Sequence, residues 1–235
     1  MRSGAIVGAQ PGEGRTACAY DSCKLPLEMA HPVAAICMPS LMAQLREATA
    51  VVRDDRELLA GQVSRLDYRT YLVRMYGFHA AIERALMASP GLAGVVADAG
   101  LRNHKAALLA ADLVALGVQR SDLAQVPRMA LAGALALPEA LGWTYVVESA
   151  TLGGKQLARH LARQLPAEIQ NGSAYLGCYG DEAPERWRQL GVALDDFAGS
   201  DRDADRVISA ACEGFLQLRA WVRPALQPRS SRIHA

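Results

Sequence analysis

Residues 138–165 read PEALGWTYVVESATLGGKQLARHLARQL, helical in pattern at both ends yet carrying Gly142, Gly153 and Gly154 inside. Each interior glycine costs a helix roughly 1 kcal/mol relative to alanine. Two adjacent ones therefore require a compensating role. Gly153-Gly154 permits a bend, or lets a neighbour approach the backbone closely. Ser149, Ala150 and Thr151 precede the pair, so small side chains run for nearly two turns. Two readings are open at this point: close packing against another helix, or a slot for a flat, large ligand.

The rest of the chain reads as helix from residue 40 onward. Pro39-Ser40 marks a start, with Ser40 as N-cap. Leu41, Leu45, Ala48, Val52 and Leu59 form a first apolar stripe, ended by Gly61. Asp67 is expected to cap a second helix bearing Tyr68, Leu72, Met75, Tyr76, His79, Ile82 and Leu86, broken at Ser89-Pro90-Gly91. A third is expected over 101–116, with Gly117 at C′. Pro138 suits the first turn of a fourth, reaching Leu165. Asp181 is expected to open a fifth. Val207, Ala211, Phe215, Leu218 and Val222 form the seam of a sixth, stopped at Pro224. No stretch alternates as a strand would. The expectation is a single all-α domain over 40–224, between a loosely ordered tail, 1–39, and a short tail, 225–235.

Composition narrows the function. Lys plus Arg number 25 and Asp plus Glu 24, a balance that argues against a general nucleic-acid binder. No run of apolar residues is long enough to span a membrane, and the first residues lack the apolar core of a secretion signal. The five cysteines (18, 23, 37, 178, 212) are odd in number and scattered, which fits a reduced cytoplasm better than a disulfide framework. Cys18, Cys23, His31 and Cys37 match no common zinc spacing. A two-iron helical enzyme needs paired Glu-x-x-His sets, and His79 with Glu83 has no complement. No metal ligand set is expected.

Six segments, in order, resemble the heme oxygenases, specifically the bacterial branch associated with bacteriophytochromes. They are LREAT at 45–49, YLVRMYGFHAAIE at 71–83, KAALLAADLVALG at 105–117, ALGWTYVVESATLGGKQLARHL at 140–161, AYLGCYGDEAPERW at 174–187 and GFLQLRAWV at 214–222. The resemblance implies an all-helical fold with heme in a slot between a proximal first helix and a distal Gly-Gly helix. It implies heme as cofactor and substrate, cleaved with O2 to biliverdin, CO and iron. It also implies an electron donor, such as a ferredoxin or a reductase, and a bacteriophytochrome as partners.

Carried onto this sequence, the resemblance assigns Arg46, Thr49, Arg53, Glu57, Ala150 and Arg188 to the heme, and Ser149, Gly153 and Gly154 to the distal wall over the reacting centre. It also shows a departure. The family's proximal histidine falls four residues after the Thr, and that position is Arg53. A guanidinium keeps its proton and offers iron no lone pair. Arg53 can instead pair with a heme propionate, or be a surface residue of a helix whose heme role has lapsed. Ser149 stands where the family has its first distal glycine, adding a hydroxyl that can crowd the heme or donate to a ligand. Arg46 and Arg188 are expected on the propionate side, with Lys155 and Arg159 as further basic positions. Among the histidines, His79 is expected in the core and His104 and His160 on the surface, with His31 in the tail and His234 near the end. Three functions stay open: an oxygenase with an altered axial ligand, a pseudo-enzyme that binds a tetrapyrrole without cleaving it and, ranked last, a two-iron helical enzyme.

Overall fold

The computed structural model describes residues 39–51, 61–131 and 133–226, and every regular element among them is helical. The order is α1 (Leu41–Thr49), α2 (Arg65–Met87), two short turns α3 (Leu92–Val95) and α4 (Ala99–Arg102), α5 (Lys105–Ala115), α6 (Leu137–Leu152), α7 (Gly154–Ala162), α8 (Pro166–Asn171), α9 (Ala183–Phe197) and α10 (Asp201–Leu226). The expected tail, 1–39, lies outside the described residues but for Pro39. So do Val52 to Ala60, including Arg53 and Glu57.

Local chemistry explains most boundaries. Ser40 caps α1, its hydroxyl accepting from the Ala43 amide. Ser64, rather than Asp67, is the N-cap of α2. Asp67 is the third residue in, and the two exchange side-chain-to-backbone bonds in a capping box. The expected third helix is two pieces, because His104 leaves the helical region between Arg102 and Lys105. Gly117 does end α5. At φ 90° it closes a Schellman motif, with Val118 N–H on the Leu113 carbonyl and Gly117 N–H on that of Val114. A short 3-10 turn, Gly180–Glu182, precedes α9, so the helix begins two residues after Asp181. α10 continues two residues past Pro224.

The core is one apolar cluster shared by α1, α2, α5, α6, α9 and α10. α6 is buried nearly all round and crosses α10 at backbone contact. A Cβ at Gly142 would lie 2.5 Å from the Val207 carbonyl oxygen, and one at Gly214 2.9 Å from Val146 Cγ2. Gly142 is thus a close-packing glycine. On α1 the buried stripe is Leu41, Met42, Leu45 and Thr49, one residue off the expected stripe at its end, and Ala48 is exposed. That stripe packs on α9 and α10: the Met42 amide donates to Asp195 Oδ1 (2.8 Å), and Cys212 Sγ lies 3.7 Å from the Ala48 carbonyl.

Candidate functional site

The seam between α1 and α6 is built on Thr49 and Tyr145. Thr49 is fully buried, and its hydroxyl donates to the Leu45 carbonyl one turn back (2.7 Å). The Tyr145 hydroxyl stands 3.5 Å from it, the outer limit of a hydrogen bond. The Tyr145 ring meets Trp187 of α9 (centroids 5.2 Å) and Phe215 of α10 edge-on (6.2 Å). An aromatic group thus ties four helices together beside the end of α1. One turn on from Tyr145, Ser149 is 5% exposed, and its hydroxyl donates to the Val146 carbonyl (2.8 Å). That bond turns the hydroxyl back on its own helix rather than toward a ligand. Ala150 is half-buried.

The helix breaks where the glycines stand. α6 ends at Leu152, Gly153 caps it, and α7 begins at Gly154, so the long fourth helix expected from sequence is two. The two glycines have different reasons. At Gly153 a Cβ would meet none of the described residues within 4 Å. At Gly154 it would run into the Leu176 carbonyl oxygen and lie 3.1 Å from the carbonyl carbon. Gly154 is there for packing against the segment 173–180, and Gly153 leaves an open face at the bend. The sequence reading treated the pair as one unit, and the structure divides it.

The chain's sequence matches the heme oxygenase family across residues 40–224. It belongs to the heme oxygenase family. The fold agrees. It is similar to the structure of NO- and CO-bound heme oxygenase from Neisseria meningitidis, at TM-score 0.66 and 21% identity, over 80% of this chain and 92% of that one. It is also similar to heme oxygenase from Leptospira interrogans, at TM-score 0.66 and 15% identity, over 79% of this chain and all of that one. No curated protein matches the sequence.

Within this heme oxygenase-family fold Arg46 and Arg188 lie on the neighbouring helices α1 and α9, and Lys155 and Arg159 lie on α7. Arg46 of α1 is exposed and pairs with no other described residue. Arg188 of α9 is exposed and forks onto Glu185 (2.8 and 2.7 Å), which holds that carboxyl at about 2. An exposed pair of this kind is worth little and opens readily. Lys155 is paired with Asp181 (2.6 Å), and Arg159 reaches back to the Lys155 carbonyl. The remaining assigned positions, Arg53 and Glu57, lie outside the described residues.

The three described histidines are all engaged elsewhere. His79 is fully buried, with Nε2 3.1 Å from the Tyr175 hydroxyl and Nδ1 3.7 Å from Glu83. Burial, seconded by the charge of Lys105, pushes its pKa well below the usual imidazole value, so it is neutral. His104 is half-buried at the start of α5, 4.0 Å from the Cys178 sulfur. His160 is half-buried against Gln164 (3.0 Å). The surface placement expected for these last two therefore needs correcting: loop and helix-end packing covers part of each ring. Among the described residues no cluster of His, Cys, Asp and Glu is placed to hold a metal ion, and no helix is long and apolar enough to cross a membrane.

Sequence reasoning missed a buried polar network immediately beside Ser149. Glu148, next to Ser149, receives Arg102 Nη1 (3.1 Å), Lys105 Nζ (2.8 Å) and the Tyr179 hydroxyl (3.0 Å). All three charged side chains are at most 2% exposed. Glu83 accepts from the Ala106 amide (3.0 Å), and Asp112 from the amides of Ala174 and Tyr175 (2.8 and 2.9 Å). Burial raises the pKa of both these carboxyls against the pull of the amides. A signal was present in the sequence: Lys105 and Asp112 stand two turns apart on an otherwise apolar helix, hence on one face.

Proposed function

We propose that this chain binds heme, or a tetrapyrrole derived from it, against the open face at Gly153, and that the family reaction is slowed or lost in it. The observation that carries the binding half is the break itself. Gly153 projects nothing into the space beside it, Ala150 is small, and the Ser149 hydroxyl is folded onto α6, so a flat ring can lie against this wall. These features fit the group. Heme, when bound, would supply both the redox iron and the substrate, for O2-dependent opening to biliverdin, CO and iron. Arg46 and Arg188 would meet its carboxylates, the second by releasing Glu185.

The second half rests on Arg53. It falls four residues after Thr49, where the resemblance places the iron's proximal histidine, and guanidinium cannot take that role. His79 and His160 are committed to hydrogen-bond partners, and His104 stands at the start of α5 with the Cys178 sulfur 4.0 Å away. This favours the reading of a tetrapyrrole-binding pseudo-enzyme over a competent oxygenase. An electron donor and a bacteriophytochrome remain the partners proposed for a competent form, in a cytoplasmic setting. The test is hemin titration followed by visible spectra, then a reductant under oxygen, for the native and Arg53→His proteins. The expected result is slow or no biliverdin from the native protein, and a histidine-ligated spectrum with faster turnover in the variant. Equal turnover by both removes the argument from Arg53. No hemin binding by either removes the tetrapyrrole reading.

A further inference from the structure

The segment 173–180 forms a strap across the break between α6 and α7, and α5 grips it at both ends. Near one end, the Asp112 carboxylate accepts the amides of Ala174 and Tyr175 (2.8 and 2.9 Å). At the other, the Tyr179 hydroxyl sits among Lys105 Nζ (2.9 Å), Glu148 Oε1 (3.0 Å) and the Arg102 carbonyl (3.3 Å). Between these anchors the Leu176 carbonyl lies against the bare face of Gly154. Lys105 also bonds Glu148 of α6 directly (2.8 Å). α6 and the first residue of α7 are thus both referenced to one face of α5.

Two details show how firmly the strap is held. Tyr179 adopts φ 66°, a left-handed backbone that a bulky side chain takes only when its surroundings over-determine it. Its ring is covered by two cations, Lys105 Nζ at 4.9 Å and Arg186 at 4.8 Å from the centroid. Buried ion pairs are a poor way to gain stability, since well-packed apolar groups of the same volume often do as well. What they supply is direction, because each bond fixes an angle as well as a distance.

We propose that Lys105, Asp112 and Tyr179 are positioning residues: through the strap they set the angle of the Gly153–Gly154 bend, and with it the open face that borders the slot. This rests on the tetrapyrrole reading above, and it adds residues that would touch neither ring nor iron. Tyr179→Phe is the first test, since it removes one hydroxyl and keeps the ring. Asp112→Asn tests the opposite end of the strap.

Amide hydrogen exchange on the protein without ligand is the first readout. Each variant is expected to raise exchange about tenfold over residues 150–158, the worth of one buried hydrogen bond, with α2 and α10 unchanged. The second readout is hemin affinity and the Soret maximum at a temperature well below unfolding, where about tenfold weaker binding is expected. Exchange that stays level at 150–158, or rises equally across α2 and α10, overturns the proposal. So does a loosened bend with unchanged hemin affinity, which would leave the strap a purely structural brace. If the native protein takes up no hemin, the tetrapyrrole reading and the slot claim fall together. The exchange data alone then report whether the strap sets the bend.

Discussion

Adding the same methyl group at Gly153 and at Gly154 is expected to move stability in opposite directions. At Gly153 the backbone is ordinary (φ −83°, ψ −13°), and a Cβ meets no described residue within 4 Å. Alanine there restricts the unfolded chain without straining the native one, a gain of about 0.4–1 kcal/mol. At Gly154 the new Cβ runs into the Leu176 carbonyl and sits 3.3 Å from Leu176 Cα. Both obstacles are backbone, and the strap carrying them is pinned at Ala174 and Tyr175 by Asp112. Overpacking of this kind costs about 1–3 kcal/mol. Set against the alanine gain, Gly154→Ala should lose about 1–2 kcal/mol. The two variants should then differ by roughly 1.5–3 kcal/mol, at about 2–4 °C per kcal/mol for a chain of this size. Far-UV circular dichroism melts of both proteins measure it. Shifts of the same sign and similar size would refute the division of roles between the two glycines. Gly153→Leu extends the test to the slot, since it should leave helix content intact and abolish hemin uptake. Gly154→Leu should lower stability whatever the ligand.

Three further outcomes follow from the buried polar groups. The folded-state pKa of His79 lies below its unfolded value of 6.5, so in that window the unfolded chain binds the proton and the folded one does not. Its contribution is complete above 6.5 and lost on acidification, at up to about 1.4 kcal/mol per pH unit. The stability difference between native protein and His79→Gln, by urea unfolding at several pH values, should therefore shrink from pH 7 to pH 5, and a constant difference would count against it. Glu83 and Asp112 act with the opposite sign: their raised pKa values favour folding at low pH and cost stability as pH rises through the window above 4.5 and 3.8. Replacing Glu83 with Gln should accordingly flatten the decline of stability with rising pH in that window. Tyr68 donates to the Gly172 carbonyl (2.6 Å) in the core, so Tyr68→Phe orphans a buried acceptor and should cost about 1–3 kcal/mol by urea unfolding. No loss would mean the carbonyl finds another donor.

What the sequence revealed was local. Ser40, Gly117 and Pro138 mark their helix ends because capping and φ preference act within one turn. The seam of α10 was legible because Val207, Ala211, Phe215 and Val222 keep helical spacing, and all four are buried. The core placement of His79 was legible as well. The errors arose where tertiary contacts override local pattern. Nothing near Gly154 in sequence announces Leu176, which fixes its role. The burial of Arg102, Lys105 and Glu148 was hidden because the usual rule sends charges to the surface, and the two cations are excused from it by the one carboxylate they share, together with hydrogen bonds to carbonyls and the Tyr179 hydroxyl. Arg46 and Arg188 were placed on the same side of the slot, and they do stand on adjoining helices, but Arg188 is engaged with Glu185. Ser149 was read as a potential donor, and its hydroxyl is already spent on Val146.

The docking of α1 has a consequence for how the protein is made. Its buried face rests on the last helices of the chain: Met42 reaches Asp195 across 153 residues, and Ala48 meets Cys212 across 164. Contacts of such separation form late, because the intervening chain must first be ordered. On a ribosome, α1 emerges long before α9 and α10, and has no surface to pack on until they have followed it out. One wall of the seam is thus synthesised well before the helices it rests on, and is among the last to settle. A nascent chain halted before α10 would carry Leu41 and Leu45 uncovered, an apolar face for chaperones to shield until translation ends.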